Sequence, residues 1–160
     1  MKQNGVTRSR WTHLWIPVGA GLFILALTVS AIVIPQLRLL HLFQGMIYVA
    51  VIVLAHRNSP LGFGGGISVA VVWNGLNLFI THLIEAGAAE VWSFLRTGLL
   101  RRPDTMMVLV GGVAHFLLIF ACVAAFLQLR PGRRQWRQFV AGSMLALAYF
   151  ALIIVTTAPR

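Results

Sequence analysis

Three imidazoles and one carboxylate carry the chemistry that this sequence could do: His41, His82, His115 and Glu85. Each lies in or at the edge of an apolar run. Two imidazoles from facing helices can ligate a haem iron axially, as in membrane cytochromes. His41 with His82 is the pair best matched in depth, with His115 nearer the middle, so these three are the candidate cofactor ligands and haem b the candidate cofactor. In a second reading, His41, His82, Glu85 and His115 hold a transition metal, or relay protons to a quinone pocket with Gln44 and Tyr48 as hydrogen-bond partners. No short ligand motif supports either reading: His82 and Glu85 are spaced i, i+3, and the other candidates come from separate segments. The commoner use of a lone histidine in such a protein is a hydrogen bond to a neighbouring helix.

Hydrolytic chemistry has less support. Ser30, Ser68 and Ser143 have no base and orienting acid beside them in the sequence. Cys122 is the single cysteine, which excludes an intrachain disulfide and any CxxC metal or redox motif.

The stretch Val69–Glu85, VAVVWNGLNLFITHLIE, is apolar enough to cross a bilayer yet carries several polar groups. At 100° per residue Asn74, Asn77, Thr81 and Glu85 share one helix face, and Val71, Val72, Leu76, Phe79 and Leu83 lie away from it. Unsatisfied polar groups cannot face lipid without a cost of several kcal/mol. The stripe is therefore expected to face other helices or a wet path. A second stripe, His41, Gln44, Gly45 and Tyr48, falls at i, i+3, i+4 and i+7.

What must position these groups is a set of membrane helices. The chain has 160 residues, of which 59% are hydrophobic and only 10% charged, against about 25% charged in an ordinary soluble domain. Continuous apolar runs of about 20 residues match the hydrocarbon thickness, and they do not alternate as barrel strands do. The fold class expected is all-α: a polytopic integral membrane protein with five transmembrane helices over about 14–34, 39–55, 67–87, 106–129 and 139–157. A short amphipathic interfacial helix, about 88–102, follows the third. All of 1–160 forms a single membrane domain. The first span has a basic start and a Val29-Ser30-Ala31 that resembles a cleavage site, but its apolar run exceeds that of a signal peptide, so a retained helix is expected. Leu61–Gly66, with four glycines, reads as a flexible connector. Gly142, Ser143 and Ala146 read as a small-residue packing face.

The net charge of +10 does not point to nucleic acid, because the basic residues are parcelled out between apolar runs with no groove-reading motif. With five spans, the amino end, the Arg57 loop and the Arg130–Arg137 loop share a side that holds eight of the thirteen basic residues. The positive-inside bias then puts the amino terminus in the cytoplasm and the carboxyl terminus across the plasma (inner) membrane. The partners expected are the lipid bilayer and other membrane subunits, or a second copy of the chain. The function expected is that of a non-enzymatic helical subunit or packing partner in a larger membrane assembly. The alternatives are the haem or metal redox module and a small carrier or channel using the third-helix stripe.

Overall fold

Prolines and glycines punctuate the apolar runs and set where helices begin and end. The computed structural model describes residues 10–157, with side chains from residue 14 onward. Lys2, Arg8 and Arg160, which enter the charge bias, lie outside the described residues. The elements are α1 (Arg10–Val33), α2 (Arg38–His56), α3 (Pro60–Gly75), α4 (Leu83–Thr97), α5 (Pro103–Gln128) and α6 (Arg133–Thr157). A 3₁₀ turn, Pro35–Leu37, joins α1 to α2, and a π-helical turn, Leu76–Ile80, continues α3. No strand occurs among the described residues. Pro60 and Pro103 open α3 and α5, where a missing N–H costs nothing. Gly98, at φ +69°, ends α4 and donates its N–H to Phe94 O.

Among the described residues five helices are long and apolar enough to cross a membrane: Leu14–Val33, Pro35–His56, Pro60–Ile80, Pro103–Gln128 and Arg133–Thr157. Their outward faces carry large apolar side chains such as Phe79, Phe120 and Val155. Leaving each of these in water would forfeit about 1.5–3 kcal/mol. A belt of them marks a surface that lipid or another protein would cover.

The third helix departs from the expectation at both ends. It begins at Pro60, so Leu61–Gly66 is helical and not a flexible connector. Intrinsic propensity argues against this, since each glycine costs about 1 kcal/mol in a helix. Packing overrides it. A Cβ on Gly64 would collide with Phe139 O, and a Cβ on Gly142 would collide with Leu61 O. The missing side chains let the backbones of α3 and α6 touch, as in small-residue crossings of membrane helices. Gly65 against Ala146 and Gly64 against Ser143 extend the same seam.

At its other end the helix does not run on to Gly87. After the π turn, His82 adopts φ +53° and the chain changes direction. The helix expected at the interface, α4, therefore starts at Leu83, not at about residue 88, and stops at Thr97. Its buried positions are Ile84, Gly87 and Glu90, and it packs on α5. Trp92, Phe94 and Leu95 stay exposed, with the Arg96 guanidinium 4.5 Å over the Trp92 ring.

Helices α1, α2, α3 and α5 form a four-membered ring in which each packs on two neighbours: α1 on α2 and α5, α3 on α2 and α5. Helix α6 meets the end of α5 where Phe126 packs on Trp136 and Phe139, then follows α3 with a lighter contact to α2.

Candidate functional site

Each ring helix sends one aromatic side chain to the axis: Phe23 from α1, Tyr48 from α2, Trp73 from α3 and His115 from α5. Tyr48 Oη and His115 Nε2 lie 2.6 Å apart and share a hydrogen bond. The imidazole is 0% exposed and Tyr48 1%. The Phe23 ring lies 3.9 Å from the imidazole centroid at 32°, and Trp73 meets it edge-on at 4.7 Å. Phe23 also packs on Tyr48 at 4.5 Å, which closes the box.

Small residues on α5 make the box possible. Gly111 lies one turn before His115, and a Cβ there would press on Phe23 at 3.1 Å and Trp73 at 3.2 Å. On α1, Gly19 sits against the backbone of Ala114 and Leu118, either side of His115. The two helices are thus drawn together at the level of the imidazole. Beside Gly111, Gly112 leaves room for Ile84 and Asn74, and Asn74 Nδ2 donates to Gly112 O at 3.5 Å, a long hydrogen bond.

The other candidate residues have separate surroundings. His41 lines a cavity of about 60 Å³ with Phe23, Ser30, Trp73 and Met107. That is room for ordered water, and small against the roughly 300–1,000 Å³ of a ligand pocket. His82 is exposed and pairs with Glu85, Nδ1 to Oε2 at 3.3 Å. Among the described residues no three or more His, Cys, Asp or Glu side chains converge in a way that could hold a metal ion. His41 and His82 thus stand in separate surroundings, His41 beside this small cavity and His82 in an exposed pair with Glu85.

The Asn74–Glu85 stripe is divided by the break at His82. Asn74 and Asn77 are buried, whereas Thr81 and Glu85 are exposed. Asn77 Nδ2 donates to Trp73 O at 2.9 Å, and Asn77 Oδ1 accepts from Thr81 Oγ1 at 3.3 Å. These bonds are satisfied within the segment. Gln44 is buried on α2, one turn from Tyr48.

Two features escape sequence reasoning. Phe23 and Trp73 frame the imidazole, but nothing in a run of apolar residues distinguishes them from lipid-facing neighbours. Glu90 is buried and accepts from the backbone N–H groups of Arg101 and Arg102. The sequence around Glu90 carries no signal for that use. Three atoms in this region, Nδ1 of His41, Nδ1 of His115 and Oδ1 of Asn74, are buried without a hydrogen-bond partner.

The chain matches no protein-family model, no curated protein and no solved structure.

Proposed function

We propose that the chain is a non-enzymatic helical subunit, a packing partner within a larger assembly of the plasma (inner) membrane, with its Arg130–Arg137 loop on the cytoplasmic side. The observation that carries this reading is the use made of the fully buried imidazole. His115 is boxed by Phe23 and Trp73 and tied to Tyr48 on another helix. That is how a polar side chain joins membrane helices; a reacting group needs an approach for its substrate. His41 and His82 have environments of their own, which is the pattern of helix packing rather than of a shared centre. With the axis filled, recognition falls to the outer faces of the bundle.

The test is the mass of the particle released from its own membrane in a native nanodisc, read by mass photometry and native mass spectrometry. A stoichiometric complex larger than one chain is expected. A lone monomer would overturn the reading.

A further inference from the structure

One cleft and one charged pocket on the outside of the bundle adjoin at Leu61. The cleft, of about 390 Å³, lies between α2 and α6 over the glycines of α3, and its walls are apolar from Leu54 and Leu61 up to Met46 and Tyr149. Tyr149 Oη bridges the two helices there by donating to Phe43 O at 3.4 Å. At the opposite end, Leu61 also lines a second space of about 510 Å³ whose other walls include Arg133, Arg134 and Arg137. Arg137 and Ala141 line the pocket, Leu145 and Tyr149 line the cleft, and the four follow one another in steps of four along one face of α6, so the two spaces adjoin as a track along that helix.

The chemistry along the track changes from cationic to hydrocarbon. Among the described residues the ion pairs are His82 with Glu85 and Arg102 with Asp104, so no carboxylate pairs with the three arginines. They crowd the first turns of α6, the positive end of its dipole, where cations are unfavourable and an anion is welcome. The eight steps from Ala141 to Tyr149 make the apolar part about 12 Å long, close to the roughly 15 Å of one leaflet of a bilayer core. Gly62, Gly65 and Gly142 form the floor of the cleft, where α3 packs closely on α2 and α6, and Ala50 and Ala146 add little bulk to its walls.

We infer that this track is a binding site for one anionic glycerophospholipid. The phosphate sits among Arg133, Arg134 and Arg137, and one acyl chain lies in the cleft between α2 and α6. Basic pockets between membrane helices at the headgroup level have this use. The hydrocarbon groove selects a lipid over a free phosphate, which would gain nothing from Ala50 or Leu145.

The experiment is native mass spectrometry of the full chain in detergent, offered equimolar dioleoyl phosphatidylglycerol and dioleoyl phosphatidylcholine. The intact chain is expected to retain phosphatidylglycerol with a preference on the order of tenfold or more. The variant R133Q/R134Q/R137Q should bring the preference to within about twofold. Ala50→Phe, which fills the cleft from its lipid-exposed side, should weaken retention with all three arginines in place. Equal retention of the two lipids by the unaltered chain overturns the proposal, whatever the variants do. So does a preference that survives in the arginine variant. Displacement of the lipid by millimolar inorganic phosphate, with Ala50→Phe without effect, would reduce the site to a phosphate contact and overturn the lipid assignment.

Discussion

Tyr48 and His115, sixty-seven residues apart in sequence, are joined by a 2.6 Å hydrogen bond at the axis of the bundle. Their link runs from α2 to α5, two helices that face each other across the ring and share no extended contact of their own. Phe23 and Trp73, from the remaining two helices, close the gap between them. Tyr48→Phe keeps the ring and deletes the hydroxyl, so His115 loses its hydrogen bond. A buried polar group left unpaired costs about 1–3 kcal/mol. The double variant Tyr48→Phe/His115→Leu removes both polar ends and should recover much of that loss. Unfolding in mixed micelles, followed by circular dichroism, would give the coupling. Additive losses would mean that the bond contributes nothing to the fold.

A second prediction concerns glycines that look alike in sequence and differ in surroundings. Gly142→Ala places a methyl into Leu61 O, so the α3–α6 seam must separate. A loss of about 1–3 kcal/mol is expected from such overpacking. Gly45, on α2, has open space around it: a methyl there would meet nothing within 4 Å. Gly45→Ala should therefore stabilise by about 0.5–1 kcal/mol through helix propensity alone. The same unfolding assay ranks the two variants. Equal effects would remove the argument for a tight crossing.

These glycines also mark where sequence reading stops. Five helices are legible because length and hydropathy are summed over about twenty residues, and one residue cannot change the sum. The start of α3 is not legible, since a glycine-rich stretch reads as a loop unless the partner helix is known. Gly64 is helical on account of Phe139, seventy-five positions away. The far end of that helix is hidden for a related reason: a smooth 100° periodicity carries no mark of the left-handed turn at His82. In the candidate site, His115 and Tyr48 stand out by their polarity within apolar runs, whereas Phe23 matters through geometry that its residue type does not announce.

The pair His82–Glu85 supplies a contrast to His115. Both side chains are about two-thirds exposed, at 63% and 66%. An exposed ion pair contributes about 0–1 kcal/mol. Glu85→Gln is expected to move the unfolding midpoint little. In proteoliposomes it should also leave cation leakage at the level of the unaltered chain. A marked change in flux would favour a conduction path along the Asn74–Glu85 stripe over a packing role.

Glu90 makes the strongest prediction about α4. Its carboxylate is buried and accepts the backbone N–H groups of both Arg101 and Arg102, just before α5 begins. Those amides would otherwise be unsatisfied donors at a helix start. The bond thus fastens the 98–102 turn to α4 and fixes the angle at which α4 lies against α5. Gly87 reinforces that angle, because a Cβ there would strike Thr105 O. Hydrogen bonds to a charged acceptor contribute about 1.5–3 kcal/mol. Glu90→Ala should accordingly speed hydrogen exchange at the Arg101 and Arg102 amides by about tenfold or more, while amides in the middle of α5 exchange as before. Glu90→Gln keeps an acceptor oxygen without the charge and should fall between the two. Unchanged exchange in Glu90→Ala would mean that α4 is held by apolar contact with α5 alone, through Ile84 against Gly112.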